Sequence, residues 1–309
     1  MSGHIWKNSP CLILYDWSKM KKIIILIPVF NDWDSLKKLI YKIGICIEKL
    51  KKHQFRFVIV NDGSTMTQPE IKMSKYIKSI KIINMQENKG HAKCISFGIN
   101  YILTNENFDN LILMDGDGED RPEEIEELLS KNSENPNESV VAKRVKRSEG
   151  TLFKVLYQIH KLIAFVFTGH KINFGHFSCL TKKDLSIINR ESSLWTSYSG
   201  TFKKNLKKYQ EINSTRGKRY FGPSKMSIFK LLLHSFSIIA VFKYKVFLRS
   251  TFMIIILAYL NLYLGNISII AQVLIILFNL IIFVVSLREK KNDLEESENN
   301  LKNINHITH

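Results

Sequence analysis

The sequence predicts an α/β protein with a mostly parallel sheet, followed by a C-terminal two-helix transmembrane hairpin. In the first half of the chain, continuous apolar runs alternate with helical patterns, which is typical of a parallel sheet. Polar clusters follow three of these runs, and ligands bind at the carboxyl ends of parallel strands. Two long apolar segments near the C-terminus each have about the length needed to cross the roughly 30 Å of a bilayer core.

Apolar runs and helical spacing place the individual elements of the first half. We expect strands at 23–29, 55–60, 80–85, 111–114 and 140–142. We expect helices at 33–51 and 92–103, and a helix that begins at Pro122. Segment 151–167 is strongly apolar and aromatic, so it is either a core helix or a helix that lies in the membrane interface.

Segment 115–120 is the most informative of the polar clusters. It carries four acids directly after an apolar run: Asp115, Asp117, Glu119 and Asp120. Carboxylates repel one another unless a cation or solvent relieves them. Mg²⁺ and Mn²⁺ prefer oxygen ligands and commonly share them with substrate phosphates. A divalent-cation site is therefore one interpretation of this segment, and an acidic surface turn is the other.

The net charge indicates which classes of partner to expect, and the cysteine content indicates the redox compartment. A net charge of +17 suits phosphorylated substrates, an anionic membrane surface or nucleic acid. No zinc-finger spacing, RNP-like motif or helix-turn-helix signature is present, so we expect no nucleic-acid partner. The 4 cysteines form no C-x-x-C pair, which indicates free thiols in a reducing compartment.

The apolar segments near the C-terminus, 246–264 and 267–287, are separated only by Gly265-Asn266. Lysines and arginines flank both outer ends, which predicts that these ends lie on the cytoplasmic side. A buried helical hairpin of a soluble domain is the alternative. The predicted organisation begins with an N-terminal extension at 1–19 (unless translation begins at Met20) and an α/β domain at 20–225. A juxtamembrane segment at 226–245, the hairpin at 246–287 and a polar tail at 288–309, disordered from 292, follow.

Five short motifs follow one another in the chain. They read IPVFND at 27–32, VNDGST at 60–65, NKG at 88–90, DGDGEDRPE at 115–123 and RYFGPSK at 219–225. In this order, and followed by two apolar spans, they resemble the motifs of the family 2 glycosyltransferases with a GT-A fold. The similarity is closest to the branch that contains dolichol-phosphate mannosyltransferase and bacterial polyprenyl-phosphate glycosyltransferases. It covers about 22–287 and implies a Rossmann-like catalytic domain.

The resemblance implies roles for individual residues. A nucleotide-sugar donor would be bound by Pro28, Asn31, Asp32, Asp62, Gly63, Ser64 and Asp115. Asp115, Asp117 and Glu119 would hold Mg²⁺ or Mn²⁺ on the donor diphosphate, and the implied catalytic residues are Asp117, Arg219 and Lys225. Such a cation stabilises charge on the departing phosphate.

Further cationic and polar residues are candidates for binding phosphates of the donor or the acceptor: Arg144, Arg147, Ser224 and His176. Any single cation of this set is alternatively a solvated surface group. His176 lies in GHFS at 175–178, where the family commonly has G-D-F-R, so it replaces an acid. It is either a metal or acceptor contact or a structural histidine.

The function implied by the resemblance is that of an inverting glycosyltransferase. It would transfer a sugar from a nucleotide-sugar to polyprenyl phosphate, and a homo-oligomer is left open. We expect an integral protein of the bacterial inner membrane with its catalytic domain on the cytoplasmic face. Alternative acceptors are a lipid-linked saccharide or another envelope glycan, whose hydroxyl would need a base. A membrane-anchored, nucleotide-binding partner protein without catalytic activity is the third hypothesis.

Overall fold

A single eight-stranded sheet organises the chain. The structure, a computed structural model, describes residues 20–146, 151–223, 227–289 and 296–308. The predicted extension at 1–19 lies outside these residues. The strands are β1 (Lys21–Val29), β2 (His53–Asn61), β3 (Ile77–Met85), β4 (Asn110–Leu113), β5 (Val140–Lys146), β6 (Phe174–Thr181), β7 (Gln210–Thr215) and β8 (Leu301–Thr308).

The strand order is β7-β5-β6-β4-β1-β2-β3-β8. Strands β3, β2, β1 and β4 are parallel neighbours, and β5 is parallel to β7. Strand β6 is antiparallel to both β4 and β5, and β8 is antiparallel to β3. The predicted mostly parallel sheet is confirmed, with antiparallel pairings added on both sides of a parallel centre.

Ten helices are described along the chain. They are α1 (Trp33–Ile47), α2 (His91–Asn105), α3 (Ile125–Glu134), α4 (Thr151–Thr168), α5 (Lys182–Asn189), α6 (Tyr198–Asn205), α7 (Ile228–Ala240), α8 (Lys243–Tyr259), α9 (Asn261–Leu264) and α10 (Asn266–Ser286). The helix predicted to begin at Pro122 starts as one 3₁₀ turn before α3. Helix α1 ends four residues before its predicted end at 51.

Strand β1 is buried on both faces of the sheet. Its residues Ile23, Ile25 and Ile27 pack in one core with α1, while Ile24 and Leu26 pack in a second core with α2. Successive strand side chains point to opposite faces, so a strand between two helical layers is apolar at every position. The continuous apolar run in the sequence is therefore the mark of a central strand covered on both sides.

The C-terminal helices form a third, separate core. Residues of α4, α7, α8 and α10 meet there, among them Ala164, Ile238, Val246 and Ile282. The opposite faces of these helices are apolar and exposed. Helix α4 is therefore partly buried: Ala164 packs in this core, whereas Leu162 is 63% exposed.

One described helix is long and apolar enough to cross a membrane. Helix α10 has 21 residues and a mean hydropathy of 2.8, and only 11% of its most apolar stretch is buried. Helices α7 and α8 together also pass this test but are bent by 86° at the break between them. The expected hairpin thus corresponds to α8, α9 and α10, whose tip is closed by a hydrogen bond from Ser268 Oγ to the carbonyl of Leu257.

The prediction that the tail from 292 onward is disordered is wrong for residues 296–308. A 3₁₀ turn at Glu296–Asn300 leads into β8, which pairs with the edge of β3 from Ser79 to Met85. The backbone of β3 explains the order, because an edge strand presents unpaired N–H and C=O groups that another extended segment can satisfy. The tail is therefore polar in composition yet belongs to the sheet.

Candidate active site

Two loops at the carboxyl ends of β1 and β2 are joined to one another. The Asn31 backbone N–H donates to Ser64 Oγ at 2.9 Å, and Asn31 Oδ1 accepts from the backbone N–H groups of Thr65 at 2.9 Å and Met66 at 3.1 Å. Asn31 has a φ of 49°, in the left-handed region where asparagine is tolerated better than most residues. Asn31 and Ser64 therefore shape the rim of this edge of the sheet.

Asp62 at the end of β2 organises the start of α2. Its Oδ1 accepts from the Lys89 backbone N–H at 2.8 Å, and its Oδ2 accepts from the Gly90 backbone N–H at 2.9 Å. Gly63 has a φ of +64°, and a Cβ there would lie 2.7 Å from the Asn88 backbone nitrogen. Only glycine permits this close approach of the loops that follow β2 and β3.

The acidic segment after β4 is folded back on itself. The Asp115 backbone N–H donates to Asp120 Oδ2 at 2.8 Å, and the Glu119 backbone N–H donates to Asp117 Oδ1 at 2.9 Å. Asp120 is 4% exposed. The four acids are thus held in a tight loop beside the ends of β1 and β2, and not in a solvated surface turn.

Arginines from the segment after β7 pair with this acidic loop. Arg219 donates from Nη1 to Asp117 at 2.6 Å and from Nη2 to Asp32 at 2.5 Å, so it bridges the loops after β1 and β4. Arg216 pairs with Glu119. The backbone N–H of Tyr220 also donates to the Asp117 carbonyl at 2.9 Å. These contacts bring a motif from the far end of the domain onto the acidic loop.

Two histidines flank Asp115. His91, the first residue of α2, places Nε2 2.9 Å from Asp115 Oδ1, and His176 of β6 places Nε2 2.8 Å from the same oxygen. The two imidazole centroids are 4.8 Å apart. His176 also lies 3.8 Å from Asp120 Oδ2.

The ionisable groups in this cluster shift one another's pKa values. Burial opposes the ionisation of Asp115, but the imidazoles of His176 and His91 outweigh it and hold its pKa well below the usual range. Burial, together with the charge of Asp115, raises the pKa of Asp117 to about 6 and that of Asp120 to about 6. Burial lowers the pKa of His176, yet the adjacent carboxylates of Asp115 and Asp120 raise it overall. A site with these competing charges is suited to binding ions.

A basic cavity of about 330 Å³ lies next to this cluster, between the start of α2 and residues of α7. Helix α2 contributes its amino end, and the cationic or ionisable residues around the cavity are Lys89, His91, Lys93, Lys230, His234 and Arg288. The amino end of a helix carries unpaired N–H groups and partial positive charge. The cavity therefore suits an anion.

A family model decides the identity of the domain. The model of glycosyl transferase family 2 matches residues 24–209, which is more than half of the chain. The chain belongs to glycosyl transferase family 2. The expectation drawn from the five motifs is thereby confirmed, as is the expectation of a glycosyltransferase.

Individual family members are similar over most of this chain. An uncharacterised glycosyltransferase, YkcC of Bacillus subtilis, is 26% identical over 72% of this chain and 68% of its own length. Undecaprenyl-phosphate 4-deoxy-4-formamido-L-arabinose transferase of Yersinia enterocolitica is 25% identical over 69% of this chain and 65% of its own length. The chain thus aligns with about two thirds of each relative.

A solved structure supports the GT-A-like fold. Glucosyl-3-phosphoglycerate synthase of Mycobacterium tuberculosis, crystallised with Mn²⁺, UDP-glucose and phosphoglyceric acid, superposes with a TM-score of 0.53 at 11% identity. The superposition covers 73% of this chain and 80% of that protein. At this identity the likeness concerns the fold.

Most of the residues expected in a family 2 site are brought together. The nucleotide-sugar set surrounds the ends of β1, β2 and β4, and Pro28 in β1 packs beneath the acidic loop, where a Cβ at Gly116 would lie 3.3 Å from its carbonyl oxygen. Arg144 lies beside Gly175, close to His176. Arg147, Ser224 and Lys225 lie outside the described residues, so their expected roles stay predictions.

The expected metal ligands do not share one point. Asp117 and Glu119 are each engaged by an arginine, while Asp115 faces the two histidines. His176 contacts Asp115 and does not line the basic cavity. The sequence analysis missed His91 and Arg216. His91 directly follows the NKG motif, and Arg216 lies three residues before RYFGPSK, but neither residue belongs to the motif itself. Their closeness to a motif in the sequence was the one feature that could have pointed to them.

Proposed function

We propose that this chain is a membrane-anchored, inverting glycosyltransferase that transfers a sugar from a nucleotide-sugar to polyprenyl phosphate at the cytoplasmic face. The observation that carries the proposal is the basic cavity between α2 and the C-terminal helices. Its lining includes His91, which contacts Asp115 of the acidic loop, and Lys230 and Leu233 of α7, a helix that also exposes Phe229 and Leu232. A lipid phosphate has an anionic head for the cavity and an apolar tail for the membrane beside it.

The donor would bind where the loops after β1, β2 and β4 meet. Asn31, Asp32 and Ser64 would line the nucleotide side. Asp62 would act through the loop that it holds at the start of α2, since both its oxygens accept backbone N–H groups there. The undecaprenyl-phosphate transferases that this chain resembles are named for the same class of acceptor.

The acidic loop carries the ligand type that a divalent cation prefers, and the donor cation would take the place of the arginines that now pair with Asp117 and Glu119. Asp115, Asp117 and Glu119 offer oxygen ligands. Burial, and after it the negative charge of Asp115, raises the pKa of Asp117 to about 6, and a bound cation would favour the ionised carboxylate. When bound, Mg²⁺ or Mn²⁺ would neutralise charge on the donor diphosphate. Arg216 and Arg219, which pair with Glu119 and Asp117 in the structure, would then be available to the phosphates.

The reaction exchanges one carbon–oxygen bond for another. A phosphate oxygen of the lipid attacks the anomeric carbon, the bond from that carbon to the donor diphosphate breaks, and the nucleoside diphosphate leaves with the bonding electron pair. Attack on the face opposite to the leaving group inverts the anomeric configuration. A phosphate oxygen is already anionic at neutral pH, so no general base is needed.

The test is transfer by the purified full chain in detergent. A panel of nucleotide-sugars would be offered with undecaprenyl phosphate and Mn²⁺ or Mg²⁺, beside Asp117→Asn and Lys230→Ala. We expect a lipid-phosphate-linked sugar, its loss in Asp117→Asn, and a raised KM for the lipid in Lys230→Ala. Lys302→Ala, an exposed lysine of β8 remote from the cavity, is the matched control.

Donor hydrolysis or binding without transfer to the lipid phosphate would contradict the proposed acceptor. Transfer to a lipid-linked saccharide in the same assay would replace it with a glycan acceptor. If none of the nucleotide-sugars bound, with or without metal, the result would favour a partner protein without catalytic activity.

A further inference from the structure

We propose that His91, Asp115 and His176 form a binding site for a first-row transition-metal cation such as Mn²⁺, Co²⁺ or Zn²⁺. The ligands would be two imidazole nitrogens and one carboxylate oxygen. The consequence for catalysis rests on the proposed function, because the cation would lie between the donor site and the basic cavity. The binding itself rests only on the geometry of the three side chains.

Three separate elements bring the donor atoms together. His91 begins α2, Asp115 follows β4, and His176 lies in β6. One ligand atom from each lies within 4.8 Å of the other two. Within the part of the chain that the structure describes, no other three His, Cys, Asp or Glu ligand atoms converge in this way.

The orientation of His176 distinguishes a metal site from an ordinary hydrogen-bonded trio. Its Nε2 is 2.8 Å from Asp115 Oδ1 but is buried without a satisfactory hydrogen bond. A buried polar atom without a partner is costly. Two ligands of one cation are also close neighbours, but each directs its lone pair at the cation and not at the other ligand. The contact between His176 and Asp115 has this character.

The distances suit a cation after a small adjustment. Zinc-type sites have metal–ligand bonds of roughly 2.0–2.2 Å, which separates tetrahedral ligand atoms by about 3.3 Å. The two nitrogen–oxygen distances here are 2.9 and 2.8 Å. The two nitrogen–oxygen distances would lengthen by a few tenths of an ångström, and the imidazole nitrogens, which lie within 4.8 Å of each other, would settle around the cation. His91, whose side chain is 49% exposed, can supply this movement.

The surroundings support positive charge at this point. Asp120 Oδ2 lies 3.8 Å from His176 Nε2 and accepts the backbone N–H of Asp115, so a second carboxylate stands beside the three ligand atoms. The side chain of His91 is 49% exposed, so the site is open to solvent on this side.

The donor set predicts a preference among cations. Mg²⁺ favours all-oxygen ligands and retains water, whereas imidazole nitrogens favour the later first-row metals. In the donor-free protein Asp117 and Glu119 are engaged by arginines, so the histidine site is the one available to a cation. We therefore expect Zn²⁺ and Co²⁺ to bind more tightly than Mn²⁺, and Mg²⁺ least tightly.

Cobalt provides a readout that is independent of sugar transfer. The metal-free full chain in detergent would be titrated with Co²⁺ while the visible absorption of the bound ion is recorded. We expect one equivalent to bind in the native chain. Loss of a residue that only positions a metal ligand commonly lowers metal affinity about 10–100-fold. Loss of a ligand itself should cost more, so His91→Ala and His176→Ala should each lower Co²⁺ affinity at least about 100-fold.

Three further variants make the result decisive. His306→Ala removes an exposed histidine of β8 remote from the site, and Co²⁺ affinity should change less than about 3-fold in it. Asp117→Asn removes a neighbouring negative charge and should weaken Co²⁺ binding less than either histidine variant does. His176→Gln keeps a polar side chain at the buried position in case His176→Ala does not fold. Unchanged Co²⁺ affinity in the His91 and His176 variants would overturn the proposal, as would loss of binding in Asp117→Asn alone.

The outcome is separable from that of the proposed function. Cobalt binding that depends on both histidines would stand even if no sugar were transferred to undecaprenyl phosphate. Sugar transfer with Mg²⁺ that survives in His91→Ala, together with unchanged Co²⁺ affinity, would leave the transferase in place and remove the histidine site.

Discussion

Arg219 holds together two acidic loops that are far apart in the sequence. Its two terminal nitrogens pair with Asp117 and Asp32, and all three side chains are at least four-fifths buried. The planar guanidinium suits two carboxylates at once, which a lysine cannot match. Without it, two carboxylates would face each other with no cation between the loops.

We predict that Arg219→Ala lowers the free energy of unfolding by roughly 1.5–3 kcal/mol in metal-free buffer, because charged hydrogen bonds to two carboxylates are lost. Mn²⁺ should restore more stability to this variant than to the native chain, since a cation can replace the guanidinium. Thermal melts with and without Mn²⁺ measure both effects. Lys218→Ala, an exposed neighbouring cation, should change little. An equal response of the two variants to Mn²⁺ would contradict this account.

Gly118 allows the segment after β7 to close on the acidic loop. It has a φ of +89°, and a Cβ there would lie 2.5 Å from the Tyr220 ring. Gly222 also has a positive φ, of +66°, but a Cβ there would meet nothing within 4 Å. The two positions share the backbone strain and differ in the contact.

We predict that Gly118→Ala weakens donor binding and lowers the melting temperature more than Gly222→Ala does. Left-handed backbone costs a non-glycine residue roughly 1–2 kcal/mol, which applies to both variants. Only Gly118→Ala displaces Tyr220, whose backbone N–H bonds Asp117. Melting curves and nucleotide titration of the pair measure the difference. Equal losses would show that the Tyr220 contact is unimportant.

At the scale of elements, β8 is connected to the donor site by a row of side-chain hydrogen bonds. Asn84 Nδ2 donates to Asn303 Oδ1 at 2.7 Å, and Asn61 Nδ2 donates to Asn84 Oδ1 at 2.8 Å. The Ser64 backbone N–H donates to Asn61 Oδ1 at 3.1 Å, and Ser64 in turn accepts from Asn31. The row crosses β8, β3 and β2 and reaches the loop after β1.

We predict that Asn303→Ala lowers the melting temperature by about 2–4 °C, since it leaves the amide of the nearly buried Asn84 without its acceptor at a cost of about 1 kcal/mol. Lys302→Ala tests the same strand without touching the row, because Lys302 is exposed. Thermal melts of both variants in detergent give the comparison. A drop of the same size in Lys302→Ala would mean that the strand, and not the row, is responsible.

The elements differ in how well the sequence predicted them, and the reason is burial. Strand β1 is apolar throughout because helices cover both of its faces, so its pattern was unmistakable. Strand β8 is an edge strand whose half-buried residues, Leu301, Ile304 and Ile307, are three apart. That spacing puts Ile304 and Ile307 against different cores, on opposite faces of the sheet, so the sequence shows no alternation of apolar and polar residues, and the pairing depends on the backbone of β3. The residues of β8 alone do not indicate that β3 is its pairing partner.

The site shows the same division. The loops after β1, β2 and β4 were found because parallel strands end at one edge, which is a rule of topology. Of the two partners of Asp115, His176 was a candidate site residue but was not paired with Asp115, and His91 was missed, since the two histidines come from elements 85 residues apart in the sequence and meet only through the fold. The motifs located the acidic loop, whereas the ion pairs that the loop makes could be identified only from the three-dimensional structure.

At the scale of the whole molecule, exposed apolar surface is concentrated on the helices beside the basic cavity. Helix α10 would be about 32 Å long at roughly 1.5 Å per residue, close to the thickness of a bilayer core. Ser192 Oγ and Lys243 Nζ both donate to Glu289, at 2.7 and 3.1 Å, so the end of α10 is fastened to the catalytic domain and to α8. This attachment would hold the cavity at the level of lipid head groups.

We predict that Ile276→Arg, at the middle of α10, reduces the share of protein that stays in membranes after alkaline carbonate extraction. A charged residue at the centre of a spanning helix costs roughly 2.5–3.5 kcal/mol, which is enough to impair insertion. Ile45→Arg is a matched control, because Ile45 of α1 and Ile276 are both 55% exposed. If α10 lay in water like α1, the two variants would behave alike. A loss of membrane retention confined to Ile276→Arg would therefore identify α10 as the anchor.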